Sequence, residues 1–349
     1  MKILMPFYYV DDLDFYFPLV MSLTERVREI HIAYVEGTPH DEWKRRFCFH
    51  KLNVSSFGKS KTMQFFLSRG NISQQLEKID SDGIFALSEL WTLEFCSYCS
   101  RKLKIPFVVW VRGDHRKVRE VRGVNWFKRL IINHMEVRYL NQAVFVIPNC
   151  LSLYKKLKEW GVEKGRVTQP VYNCVDTRMF KPLKVPRSDK FTVAYAGRIC
   201  PEKRVVELLK IIGKMKDVKF IMAGSKGMDV VFPKNVEYFG KLPFLEMPTF
   251  YNKADLVVLP SITEGFPSVI LEAYACEKPV LVAKEAFPKE LEVFGEVASL
   301  DEFGQKIRGL QNSDLKTLGK KARNYVKKRF NWNQFGEKIK SYLEKVVTR

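Results

Sequence analysis

What most restricts this chain is an alternation, kept up from end to end, of short β-branched or aromatic runs with longer stretches of helical spacing. Neighbouring parallel strands cannot be joined by a tight turn. Each needs a crossover, and a helix supplies it while covering one face of the sheet. In the first half the strand candidates are Ile3 to Phe7, Ile30 to Val35, Ile84 to Leu87, Phe107 to Val111 and Val144 to Ile147. In the second half they are Phe191 to Ala196, Lys219 to Ala223, Val236 to Phe239, Leu256 to Leu259 and Val280 to Ala283. The two sets are separated by Lys181-Pro-Leu-Lys-Val-Pro-Arg-Ser188, whose prolines and lack of periodicity suit a linker. With 349 residues the chain is long enough for two α/β domains. They are expected over 1–184 and 188–330. The remaining 331–349 reads as an amphipathic helix, with Trp332, Phe335, Ile339, Leu343 and Val346 on one face, expected to pack back toward the N-terminal domain.

Composition narrows the class. Hydrophobic residues make up 46% of the chain, enough for two cores and far from a disordered composition. The formal net charge of +20 is spread over both halves and gathers in no tail, so it suits a basic surface facing anionic partners. No RNA-binding motif or aromatic platform accompanies it, and nucleic acid is not an expected partner. The seven cysteines are odd in number and scattered, as in a reducing compartment. Cys96 and Cys99 have C-x-x-C spacing but no second pair or His cluster to complete a metal site, and read as helical core. Met1 to Val10 is too short, and too soon followed by acidic residues, for a signal peptide, and no run reaches the ~18–20 apolar residues of a membrane span. The expected location is the cytoplasm, with peripheral docking at the inner membrane face.

Parallel sheets present ligands at the carboxyl ends of their strands, so the loops leaving those strands are the places for chemistry. In Ala194-Tyr-Ala-Gly-Arg-Ile-Cys-Pro-Glu-Lys-Arg204 a strand ends at Gly197 and a helix is expected to begin near Pro201. Arg198 and Lys203 would then flank a helix N-terminus, an anion site built from dipole, free N–H groups and two cations. In Asp255 to Cys276 a strand runs into Pro260, Glu264-Gly-Phe turns, and Pro267 opens a helix carrying Glu272. The two carboxylates, in E-x7-E spacing, can face one ligand at different points, and carboxylates bind vicinal hydroxyls through charge-assisted hydrogen bonds.

Taken together, Gly197-Arg198 with Lys203, Glu264-Gly-Phe-Pro-Ser-Val-Ile-Leu-Glu-Ala273 and Lys278-Pro-Val280 resemble the family-4 retaining glycosyltransferases of GT-B fold. Pro170-Val-Tyr-Asn-Cys-Val-Asp176 with Phe180-Lys-Pro182 is similar to that family's pre-hinge segment. The resemblance is strong from about Val171 to Ala283 and only a matter of pattern before that. It implies two Rossmann-like domains facing each other across a cleft, with a nucleotide diphosphate sugar held mostly by the second and the acceptor side formed by the first. Arg198 and Lys203 would hold the diphosphate and stabilise the leaving group, the task a metal performs in other transferases, so no metal or cofactor is expected. Glu264 would bind hydroxyls of the donor sugar and Glu272 the ribose. Gly197 and the loop Gly265, Phe266, Pro267, Ser268 and Val269 would bring backbone groups to phosphate and sugar. Retention is attributed in this family to front-face attack with the leaving phosphate taking the acceptor proton, and no enzyme nucleophile is needed.

The chain also departs from the family. Met5-Pro-Phe-Tyr-Tyr-Val-Asp-Asp12 replaces the Gly-rich loop after the first strand, and Cys174 replaces a glycine before the hinge. Where many members place a histidine after the strand ending at Val111, the order here is Arg112-Gly-Asp-His115, making Arg112 and His115 further catalytic candidates. Asp12 and Asp14 have the D-x-D spacing of manganese-dependent transferases, but the diphosphate already has its cations. Arg112 to Arg129 holds seven basic residues interrupted by Trp126 and Phe127, a composition able to rest on anionic headgroups. A saccharide or lipid-linked acceptor at such a surface is the expectation. The alternatives are a nucleotide-sugar epimerase or other GT-B-like enzyme, and more remotely a basic nucleic-acid-binding protein.

Overall fold

The fold is described from a computed structural model covering residues 1–10, 13, 20, 22–24, 26–54 and 61–347. Asp12 and Asp14, and so the D-x-D spacing, lie outside the described residues. The chain divides into two compact units, one of Met1–Arg112, Asn125–Tyr172 and Trp332–Arg349, the other of Gly113–Val124 and Asn173–Asn331.

The first unit holds a parallel sheet of β1 (Lys2–Tyr9), β2 (Glu29–Glu36), β3 (Cys48–Lys51), β4 (Gly83–Leu87), β5 (Phe107–Val111) and β6 (Phe145–Pro148) in the order β3-β2-β1-β4-β5-β6. Covered by helices on its faces, such a sheet buries strands on both sides, so β4 and β5 read as unbroken apolar runs with every residue buried. The sequence pattern misses β3. It is an edge strand whose Cys-Phe-His-Lys side chains are half-buried or exposed, so no apolar run marks it. The closing helix Trp332–Val347 lies on this unit. Phe335, Ile339, Leu343 and Val346 are buried, and the Phe335 ring sits 5.1 Å from that of Trp110.

The second unit repeats the plan with β7 (Thr192–Ala196), β8 (Lys219–Ala223), β9 (Val236–Tyr238), β10 (Leu256–Leu259), β11 (Val280–Ala283) and β12 (Gly295–Ala298), ordered β12-β11-β10-β7-β8-β9. Strand β12, again an edge and again without an apolar run, is the one the sequence pattern misses here. Besides Gly113–Val124, which the sequence reading left in the first domain, the unit takes in the chain from Asn173, ahead of the proline-bearing segment. The Leu183 N–H donates to Asn252 Oδ1 at 2.9 Å, and Phe180 packs on Phe244 at 5.4 Å, so this stretch is fastened to the second unit and does not hang free. Backbone crowding also fixes a helix contact. A Cβ on Gly319, in the helix Leu315–Arg329, would fall 2.1 Å from the carbonyl oxygen of Glu277.

In both sheets the chain starts in the middle, builds outward on one side, then returns to the other side of its first strand. That places a topological switch point between β1 and β4 and another between β7 and β10, where doubly wound sheets open a crevice at their carboxyl ends. Among the described residues no helix is long and apolar enough to cross a membrane.

Candidate active site

The switch point of the second unit is built from the loops leaving β7 and β10. Glycines let the β7 loop lie flat on its β8 neighbour: the Gly197 N–H donates to Ala223 O at 2.9 Å, and a Cβ on Gly224 would fall 1.9 Å from the Gly197 carbonyl oxygen. The chain then makes only a single 3-10 turn, Pro201–Lys203, and the α-helix begins later, at Val205–Ile212. The helix expected near Pro201 is interrupted because Arg204 takes a left-handed backbone, φ 47°. Such a conformation costs about 1–2 kcal/mol. It is offset by what the Arg204 side chain reaches: its guanidinium donates to Pro260 O at 2.7 Å, to Ser261 O at 3.1 Å and to the Glu285 carboxylate. The positive potential at this loop therefore comes from side chains more than from a helix dipole.

Arg204 also brings the β10 loop onto the β7 loop, and the Ile262 N–H completes the seam by donating to Glu202 O at 2.9 Å. Two of the predicted residues meet across it. Lys203 Nζ donates to Glu264 Oε1, which also accepts from Ser261 Oγ at 2.7 Å. Both ends of this ion pair are largely shielded, with side chains 17% and 15% exposed. Arg198 stands at the mouth, its side chain 64% exposed and its guanidinium 3.7 Å from the Glu202 carboxylate. Glu202, which sequence reasoning passes over as a loop carboxylate, is buried. It accepts from Arg122 Nε at 3.1 Å and Nη2 at 2.5 Å. Burial resists its ionisation, but hydrogen bonds from Arg122, from its own backbone N–H and from Cys200 outweigh that and hold its carboxyl down at about 2.

Glu272 lies within the helix Ser268–Ala275 and accepts from Tyr251 Oη at 2.7 Å. Tyr251 is fully buried, and burial together with the Glu272 charge pushes its hydroxyl well above the usual range, so it remains a donor that aims the carboxylate. The loop between the two glutamates is held from behind. The Phe266 side chain is in the core, 5.3 Å from the Phe330 ring, and Gly265 and Pro267 are buried, while Ser268 and Val269 are half-buried. Asn173 Nδ2 donates to Phe266 O and, at 3.0 Å, to Ser268 Oγ. Asn173 sits inside the Pro170 to Asp176 segment, and its role as clamp on this loop depends on partners 93 and 95 residues away, which no local pattern announces.

Arg112 and His115 fall in different units. Arg112 follows β5, with its guanidinium 4.9 Å over the Trp110 ring and its carbonyl accepting from Asn149 Nδ2 at 3.0 Å. His115 opens the short helix His115–Val121 of the second unit, which Asp114 caps by accepting from the Lys117 N–H at 2.8 Å. Cys96 and Cys99 are buried and unpaired in the core of the first unit.

Two doubly wound units in one chain fit a two-domain Rossmann-like α/β fold, the fold class of the GT-B enzymes that the chain resembles in structure. Residues 178–306 match the family described as glycosyl transferases group 1. The chain is similar to an uncharacterised glycosyltransferase of Methanocaldococcus jannaschii, 26% identical, with 96% of this chain and 95% of that one covered. It is 28% identical to lipopolysaccharide 1,2-N-acetylglucosaminetransferase of Salmonella typhimurium, over 74% of this chain and 81% of the relative. In fold it is similar to Anabaena HepE, solved in complex with UDP-glucose, with a TM-score of 0.79 and 17% identity over 99% of this chain and 100% of that one. The protein is an enzyme of the glycosyltransferase class.

Proposed function

We propose that this enzyme moves a sugar from a nucleotide diphosphate sugar to a saccharide or lipid-linked acceptor with retention of configuration, without a metal ion. The observation that carries the reading is the meeting of Lys203 and Glu264 at the switch point between β7 and β10, with Arg198 exposed beside them. A donor entering there exchanges one anion for another. Its diphosphate takes the Lys203 ammonium and the Arg198 guanidinium, and the freed Glu264 carboxylate accepts hydrogen bonds from the sugar hydroxyls. As the glycosidic bond breaks, negative charge grows on the leaving phosphate, where the two cations stabilise the transition state more than the ground state. Glu272, aimed by Tyr251, takes the ribose hydroxyls.

Titration with UDP-, GDP- and ADP-sugars, read as thermal stabilisation, identifies the donor. Glu272→Ala should then weaken its binding by about 1–3 kcal/mol, the scale for losing a charged hydrogen-bond partner. Unchanged affinity would count heavily against the assignment. Product analysis with donor alone separates transfer from epimerisation or phosphorolysis.

We further propose that the acceptor is met at an anionic membrane surface. The helix Trp126–Leu140 exposes Trp126, Phe127, Leu130 and Ile131, and Lys128 and Arg129 stand among them. Apolar side chains bordered by cations suit the headgroup boundary, and the Salmonella relative is named for a lipopolysaccharide acceptor. In vesicle sedimentation at moderate salt, the chain should prefer anionic over neutral vesicles. Equal partitioning would discard the membrane.

A further inference from the structure

Away from the transfer site, the starts of β2 and β3 bring a carboxylate, an imidazole and a thiol together at the edge of the first sheet. The strands are parallel, with His31 opposite Cys48 and Ala33 opposite His50. Glu29 and His31 on one strand, and Cys48 and His50 on the other, alternate so that all four project from one face. Glu29 Oε1 lies 2.8 Å from Cys48 Sγ, and Glu29 Oε2 lies 3.7 Å from His31 Nε2. Ligating atoms of Glu29, His31 and Cys48 all fall within 4.8 Å of one another.

An ordinary polar sheet edge does not account for His31. It is only 7% exposed, and its Nε2 is buried with no hydrogen-bond partner among the described residues. Its other ring nitrogen, Nδ1, is 2.9 Å from His50 Nε2, a separation that requires one proton between them. With that proton on Nδ1, His31 donates to His50 and Nε2 keeps a lone pair directed toward Glu29 and Cys48. Metal-bound imidazoles are held in this way, the remote nitrogen donating to an acceptor that fixes tautomer and ring.

We propose that Glu29, His31 and Cys48 form a site for a divalent, borderline-soft cation such as zinc, with His50 orienting His31. Zinc takes this donor set, with bonds of about 2.3 Å to sulfur and about 2.0–2.2 Å to nitrogen and oxygen. Tetrahedral angles then separate ligand atoms by roughly 3.3–3.6 Å, within the spread seen here. A carboxylate and a thiolate balance the charge of the ion, the thiol proton passing to solvent. The nearby Lys2 ammonium on β1 is engaged by Asp80. Glu29 and Cys48 remain partly exposed, which leaves the ion a route from water. The site lies at the amino ends of its strands, while substrates of doubly wound sheets bind at the carboxyl ends. Its role is therefore structural: it fastens β3, an edge strand with little apolar burial of its own, to β2.

The test uses the full chain stripped with a chelator, and zinc or cobalt(II) alone as the probe. One equivalent of zinc should bind in competition with a chromophoric chelator. Cobalt should give tetrahedral visible bands with a thiolate charge-transfer band in the near ultraviolet. Cys48→Ser should abolish that band, and Cys174→Ser, at the other half-exposed thiol, should leave it intact. His31→Gln should weaken zinc by at least about 10-fold, and His50→Ala by about 10- to 100-fold with the band retained. Failure of the unsubstituted chain to show a thiolate band overturns the proposal without any variant. So does zinc binding that survives both Cys48→Ser and His31→Gln, which would mark adventitious binding at other groups.

Discussion

Replacing Lys203 by methionine separates two roles that the ion pair with Glu264 combines. Methionine keeps the aliphatic stem and removes the ammonium, leaving the Glu264 carboxylate with Ser261 Oγ at 2.7 Å. Breaking a fully buried pair by removing one partner costs about 3–5 kcal/mol. With both side chains at 15–17% exposure, water screens part of the orphaned charge, and about 2–3 kcal/mol of stability should be lost. Adding Glu264→Gln removes that charge, since a neutral amide can still hydrogen-bond to Ser261, so the double variant should regain most of the lost stability. Function should follow the opposite course. If Lys203 turns to the donor diphosphate, the single variant loses a charged hydrogen bond worth about 1.5–3 kcal/mol, roughly 10- to 150-fold in donor affinity. Turnover should fall about 10²- to 10³-fold through the missing charge on the leaving group. The double variant, refolded but without its cation, should stay just as inactive. Urea unfolding gives the stability arm, and donor titration with initial-rate kinetics gives the functional arm. Recovery of turnover alongside recovery of stability would refute the reasoning, because Lys203 would then be no more than a structural counterion.

Three further outcomes follow from particular contacts. Glu202 ionises in the folded state at about 2 against an ordinary value of 4.5, so its stabilisation is present above pH ~4.5 and is lost as the pH falls toward 2; Glu202→Gln should lower stability at pH 7 by about 2–3 kcal/mol and flatten the acid limb of a urea-midpoint profile between about pH 4.5 and 2. Asn173→Ala removes the donor that holds Phe266 O and Ser268 Oγ, and should cost about 1–3 kcal/mol on chemical unfolding while raising KM for the donor. Gly319→Ala would drive a Cβ to 2.1 Å from a backbone oxygen, and should destabilise the second unit by about 1–3 kcal/mol in thermal scans without altering donor affinity per folded molecule.

These contacts also separate what the sequence could convey from what it could not. A strand buried on both faces is apolar along its whole length, so Phe107 to Val111 and Thr192 to Ala196 are visible as runs. The edge strands Cys48–Lys51 and Gly295–Ala298 are held chiefly by a neighbour's backbone, and nothing in their side chains announces it. The helix start at Val205 is hidden for a related reason. Pro201 and Glu202 have good helix-opening chemistry, but the outcome is set by Arg204, whose hydrogen-bond partners at Pro260, Ser261 and Glu285 are distant in sequence.

The site follows the same division. That Lys203 and Glu264 belong to loops at strand ends is readable from local pattern. That they touch depends on β7 and β10 being neighbours, and this depends on the chain reversing direction after β9. The adjacency also explains why the pairing should be temporary. A cation and a carboxylate placed on separate loops, each anchored from behind by Arg204 or Asn173, can exchange one another for a ligand without moving the backbone that carries them. A pair of this kind within a single helix would have had to unwind to do the same.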